Sequence, residues 1–180
     1  NVNPVRDKEI IDTELQIKDL DTVENRISKV QKQAQTGGDK NAKRLLDILL
    51  KYKEALIQGK SARTVEIDNA EDKKLAKDLF LLTDKPVLYV CNVDENSAKN
   101  GNQYVEQVKE AIKDENAQLL IVAAKIESEI AELENFEERE MFLSEIGLVE
   151  SGVSRVIKAA YALLNLETYF TAGVQEVRAW

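Results

Sequence analysis

Two uninterrupted apolar runs constrain the chain most: Val87-Leu88-Tyr89-Val90-Cys91, and Leu119-Leu120-Ile121-Val122-Ala123-Ala124. Neither alternates with polar residues, so each predicts a strand buried on both faces. Between them, Tyr104, Val105, Val108 and Ile112 recur at helical spacing and predict a helix from about Asn102 to Lys113. Strand, helix, strand in so short a span is a βαβ unit, whose two strands run parallel. Ligands of such sheets bind beyond the carboxyl ends of the strands. That rule singles out Asn92-Val93-Asp94-Glu95 after the first strand and Ala124-Lys125 after the second.

The region before this unit has a different period. Leu20, Val23, Ile27, Val30 and Ala34 alternate spacings of three and four within a helix expected from about Asp7 to Gln35. Gly37-Gly38 stops it, and Ala42, Leu45, Leu49, Tyr52 and Leu56 repeat the rhythm from Asp39 to Ile57, ahead of Gly59. Two such stripes joined by so short a turn can meet only as an antiparallel helical hairpin. Asp68 to Glu71 then resembles a capping box, opening a helix to about Leu82. After the second strand, helices are expected at 128–133, 136–146 (stopped by Gly147) and 151–164, with short strands at 168–170 and 176–180 around Gly173. The chain ends on Trp180 inside the last of these, which reads as an artificial or proteolytic end.

Composition removes several chemistries. The chain has no histidine, which excludes Ser-His-Asp and Cys-His catalysis and every histidine metal site. Its one cysteine, Cys91, lies in an apolar run and reads as a core thiol. No run approaches the length of a membrane helix and no signal segment opens the chain, so the expected compartment is the cytoplasm and no membrane partner is expected. The net charge of −8 is unevenly spread. From Arg26 to Arg63 ten basic residues face three acidic ones, whereas from Glu127 to Glu150 nine glutamates face only Arg139. The glutamate run reads as a solvated face, since Glu137, Glu138 and Glu140 do not converge on one side of a helix. The basic stretch, with Lys29, Lys32, Lys40, Lys43 and Arg44, reads either as an RNA or ribosome contact or as a solvated helical face.

At the strand ends the chemistry points to a purine. GTP-binding P-loop proteins carry Asn-Lys-x-Asp at this place, whose aspartate accepts from guanine N1–H and the 2-amino group. Here the loop is Asn-x-x-Glu. Adenine offers neither of those donors, while the Asn92 carboxamide can bridge the N7 acceptor and 6-amino donor of adenine. Ala123-Ala124-Lys125 occupies the position of a Ser-Ala-Lys loop, where a backbone N–H meets the base edge and the lysine stem covers the base. On adenine the Ala124 N–H would have to shift toward N1.

The sequence resembles the YchF/Obg-like ATPase family over nearly all of its length. The resemblance rests on Asn3-Pro4-Val5-Arg6-Asp7 with Ile11-Asp12-Thr13-Glu14-Leu15, on Asp19-Leu20-Asp21-Thr22-Val23-Glu24, and on Lys85-Pro86-Val87-Leu88-Tyr89 before Asn92-Val93-Asp94-Glu95. It also rests on Ala124-Lys125-Ile126-Glu127 with Ile130-Ala131-Glu132-Leu133, and most diagnostically on Thr168-Tyr169-Phe170-Thr171-Ala172-Gly173 with Glu176-Val177-Arg178-Ala179-Trp180. It implies an α/β fold with an inserted all-α hairpin: an antiparallel coiled coil over 1–66, the second half of a P-loop G-domain over 67–166, and the first strands of a TGS domain from 167, with Tyr169, Phe170 and Trp180 in its core. It further implies ribosome association and a preference for ATP, with GTP as the alternative. Asn92, Val93, Glu95, Ala124 and Lys125 would then hold the base, Glu95 helping to exclude guanine.

The 180 residues carry no Gly-x-x-x-x-Gly-Lys-[Ser/Thr] loop and no Asp-x-x-Gly ahead of the hairpin. Those parts would lie before Asn1. Without them phosphates and Mg²⁺ have no cradle, so the chain alone is expected to be inactive and Mg²⁺ to belong only to an intact protein. A non-enzymatic coiled-coil adaptor is the rival reading. The strand at Val87 is expected to leave an unpaired edge and to favour self-association.

Overall fold

A computed structural model describes residues 2–36 and 39–179 of the chain, so the Gly37-Gly38 turn and Trp180 lie outside the described residues. The chain divides into two compact units, Asn1–Pro86 and Val87–Trp180.

The first unit is built on α1 (Pro4–Thr36) and α2 (Lys40–Ile57). Proline at the first helical position costs α1 no hydrogen bond, and the Arg6 N–H donates to Asn3 Oδ1 at 3.1 Å. Asp39 caps α2 by accepting from the Asn41 and Ala42 N–H groups, and Gly59 takes the left-handed conformation (φ +71°) just after its end. The helices run antiparallel: Gln16 Nε2 donates to the Gly59 carbonyl, and Lys53 pairs with Glu24 at 2.7 Å. Val23, Val30 and Ala34 meet Ala42, Leu49, Tyr52 and Leu56 in the buried seam, joined by Ile48. Burial, and then the nearby charge of Asp84, push the Tyr52 phenol up to about 12.

Residues 67–86, which the sequence groups with the next region, pack in this first unit. The reason is Asp19. Its carboxylate is 2% exposed and accepts from Leu82 N–H (2.8 Å), Thr83 N–H (2.7 Å) and Thr83 Oγ1 (2.7 Å). The Thr83 hydroxyl accepts in turn from Ala62 N–H at 2.9 Å, so the chain after the hairpin is stitched back onto α1. Helix α3 spans Ala70–Lys77 and stops well short of Leu82, because Phe80 turns into the left-handed region at φ +53°. Its cap is Asn69, with Asp72 three residues on, not the Asp68 and Glu71 pair. The two patterns are offset by one residue and asparagine caps as well as aspartate.

In the second unit β1 (Leu88–Asn92) and β2 (Gln118–Val122) pair in parallel, with Leu88 opposite Gln118 and Asn92 opposite Val122. Helix α4 (Gln103–Ala111), capped by Asn102, forms the crossover and buries Val105 and Val108, with Ile112 just past its end. Tyr104, expected on that face, is exposed. Gly101 lets the loop approach closely: a Cβ there would lie 3.1 Å from Ile121 Cδ1 and from Val105. The other sheet face carries Val90 and Val122 and lines an apolar groove of about 760 Å³ with residues of α5 (Ala124–Ala131), α6 (Phe136–Glu145) and α7 (Gly152–Leu163). β1 is therefore not buried on both faces. Val90 is 49% exposed and Cys91 is half-buried, its thiol pushed up by burial against a smaller opposing pull from Lys109.

The last elements, β3 (Phe170–Ala172) and β4 (Val177–Ala179), form an antiparallel ladder around Gly173. Tyr169 and Phe170, expected in a core, are exposed, since two three-residue strands have too little surface to enclose them.

Candidate functional site

The strand-end loops are positioned by backbone first. Asn92 is the last residue of β1, and Val93 N–H extends the ladder by donating to the Val122 carbonyl at 2.9 Å. Asp94 leaves the strand and caps a short helical turn, Glu95–Ser97, by accepting from Ser97 N–H at 3.0 Å. Asp94 is thus spent on the backbone, which frees Glu95 to stand exposed at the front of the turn. After the neighbouring strand, Ala123 follows β2 at φ −103°, ψ 76°, and α5 starts at once. Ala124 and Lys125 are therefore the first turn of a helix, not a loop ahead of a helix at Ser128.

The structure brings the two sets together. Ala124 N–H donates to Asn92 Oδ1 at 3.1 Å, a bond across 32 residues. That contact decides the orientation of the carboxamide, since a donor must face an oxygen, and so directs the two Nδ2 hydrogens elsewhere. It also means that the Ala124 N–H is given to Asn92 rather than aimed at a base edge. Val93, Glu95 and Lys125, with Asp94, Asn96, Ala123, Ile126 and Glu129, line a cleft of about 270 Å³. The cleft has a lysine stem as cover and carboxylates at the rim, and Asn92, next in sequence to its wall at Val93, stands exposed beside it, which suits a flat heterocycle with an acceptor on its edge.

The basic residues divide into two groups. Lys29 and Lys32 lie on α1 and Lys40 and Lys43 on α2, all at exposed positions. Arg44 is committed elsewhere: it bonds Asp72 Oδ1 through Nε at 2.8 Å, Asn69 Oδ1 through Nη2 at 3.0 Å, and Glu71 through Nη1. The Glu71 hydrogen bond is the largest cause of its raised pKa, against a smaller opposing effect of burial. Charge counting missed this, because the acidic partners are far downstream.

The Glu127–Glu150 stretch departs from a uniformly solvated face at Glu127, whose side chain is 8% exposed and paired with Arg155 at 3.4 Å. Only the start of α7, inaccessible from local pattern, explains that burial. Among the described residues no cluster of acidic residues or cysteine could hold a metal ion, and no helix is long and apolar enough to cross a membrane.

A parallel strand pair joined by a helical crossover defines an α/β fold, in which the carboxyl ends of the strands are where ligands of open sheets bind. No family model matches the chain. Individual relatives do. It is 52% identical over 181 residues to the Ribosome-binding ATPase YchF of Bacillus subtilis, 48% identical over 179 residues to that of Escherichia coli, and 37% identical over 184 residues to Obg-like ATPase 1 of Rattus norvegicus. These matches take in 99 to 100% of this chain and 46 to 49% of the relatives. The structure of the Schizosaccharomyces pombe YchF GTPase superposes on all of it with a TM-score of 0.87 at 28% identity, covering 49% of that protein. The chain belongs to the YchF/Obg-like ATPase family and spans about half the length of the curated relatives it matches.

Proposed function

We propose that the chain supplies the purine-reading half of an ATP-binding P-loop hydrolase that works on the ribosome. The observation that carries this reading is the Asn92 to Ala124 hydrogen bond, which ties the carboxyl ends of both parallel strands together beside a cleft lined by Val93, Glu95 and Lys125. Asn92 donates Nδ2–H to purine N7, Val93 and the Lys125 stem sandwich the ring, and Glu95 disfavours guanine. GTP is the alternative nucleotide. Phosphates and Mg²⁺ are held by residues outside these 180, so the chain by itself does not hydrolyse nucleotide. Residues 1–66 are the coiled-coil domain, 67–166 the second half of the G-domain, of which 67–86 pack on the hairpin, and 167–180 the start of a TGS domain, in a cytoplasmic protein.

Calorimetry on the full-length protein tests the site. Asn92→Ala weakens ATP binding roughly tenfold, the value of one well-placed hydrogen bond, and Glu95→Asp narrows the preference for ATP over GTP. Unchanged ATP affinity in Asn92→Ala refutes the site, and a wild-type protein that prefers GTP refutes the role of Glu95.

A second reading is supported by four exposed lysines on the facing ends of α1 and α2 and by relatives named as ribosome-binding. Lys29, Lys32, Lys40 and Lys43 contact RNA phosphates on the ribosome, and Arg44 holds the hairpin's own scaffold. Reversing the four lysine charges abolishes co-sedimentation with ribosomes, whereas binding that survives refutes the contact.

A further inference from the structure

Helix α5 begins without a cap of its own, since Ala123 occupies the N-cap position and makes no side-chain bond there. Its first turn is held by two long-range contacts instead. Ala124 N–H goes to Asn92 Oδ1, as described. Three residues on, Glu127 turns into the protein: Oε2 accepts from Gly152 N–H at the start of α7, and Oε1 meets Arg155 Nη2 at 3.4 Å. A carboxylate at that helix end also complements the partial positive charge of the unpaired amides. Arg155 Nε is buried without a hydrogen-bond partner, so the guanidinium depends on Glu127 for its pairing. Gly152 is the third part. A Cβ there would lie 2.8 Å from Glu127 Cδ, and a carboxylate this buried has no room to swing aside.

Resting on the purine-cleft reading, we propose that Glu127, Gly152 and Arg155 form a clamp that positions the purine loop. Lys125, Ile126 and Glu129 line the cleft, while Glu127 faces the opposite side of the same turn, toward the groove shared with α7. Glu127 is therefore a positioning residue: it does not touch the base but fixes where Ala124 and Lys125 stand relative to Asn92. Releasing the clamp lets the uncapped turn fray, because nothing local replaces the lost tether.

The test compares two probes on the full-length protein, ATP and inorganic tripolyphosphate, by calorimetry. Glu127→Ala and Gly152→Ala each weaken ATP binding roughly tenfold, while tripolyphosphate binding, which does not use the base cleft, stays within about twofold. Glu127→Gln keeps an acceptor for Gly152 N–H but turns its amide donor toward Arg155 Nη2, so it recovers only part of the ATP affinity. It also remains informative if either alanine variant fails to fold: an ATP affinity below the wild type's with tripolyphosphate binding kept supports the clamp, and wild-type ATP affinity overturns it. Parallel loss of both probes, or folded Glu127 and Gly152 variants that bind ATP as the wild type does, overturns the clamp. Asn92→Ala separates the two claims. If it weakens ATP binding and the clamp variants do not, only the clamp is wrong; if Asn92→Ala has no effect, the cleft reading itself fails.

Discussion

Asp19 shows how much one side chain can hold in place. A carboxylate at 2% exposure is tolerable only with its lone pairs occupied, and three donors at 2.7 to 2.8 Å occupy them. Asp19→Ala leaves two backbone N–H groups and the Thr83 hydroxyl without that acceptor and lowers stability by about 3 kcal/mol in urea denaturation, whereas a change under about 0.5 kcal/mol contradicts this account. Its neighbour Asp84 gives the pH dependence. Burial first, then the Asp19 charge, raise its pKa, with Arg63 and Lys77 pulling the other way. The folded state therefore holds that proton more tightly than the unfolded chain. The stability from this group is complete below the ordinary carboxylate pKa, about 3.9, and is lost as pH rises through the raised folded value. Asp84→Asn should accordingly be more stable than the wild type at neutral pH, the gap closing as pH falls toward that value. Equal stability at pH 7 would show that Asp84 ionises in the fold at no cost. Neither role was legible in the sequence, since Asp19 finds its partners 63 and 64 residues downstream.

At the scale of elements, local pattern was informative where an element's own residues decide its fate. The two apolar stripes predicted the hairpin seam almost residue for residue, and both strands appeared within one or two positions of their apolar runs. It failed where a distant element intervenes. Arg44 was counted with the hairpin's outward charges, but its three partners lie 25 to 28 residues on, at the start of α3. Arg44→Gln therefore acts on α3: amide exchange across Ala70–Lys77 speeds up, while the salt dependence of the proposed ribosome contact is unchanged. Each hairpin lysine that does touch a phosphate lowers the slope of log affinity against log salt by about 1 when neutralised. A reduced slope in Arg44→Gln with normal exchange would return Arg44 to the contact surface. The candidate site divides the same way, since Asn92 and Glu95 follow from strand and loop, but the Ala124 N–H was assigned to a base because only the fold brings it to Asn92 Oδ1.

At the scale of the whole molecule, the sequence and the exposure disagree at β1, and the disagreement has a physical consequence. A continuous apolar run suits a strand with neighbours and covered faces, yet β1 has one partner strand among the described residues and Val90 is 49% exposed. A two-stranded sheet is marginal alone, and an unpaired parallel edge beside an apolar groove of about 760 Å³ is a template for another chain. The 180-residue chain is therefore expected to self-associate, its sedimentation coefficient rising with concentration. Val90→Lys places a charge on both the edge strand and the groove face, so it should shift the population toward monomer. Because Val90 already sees solvent, it should do so with little change in the unfolding of the hairpin unit. A wild-type chain that sediments as a single monomer at every concentration would mean that α7, packed against both strands, already covers enough of the sheet to make it self-sufficient.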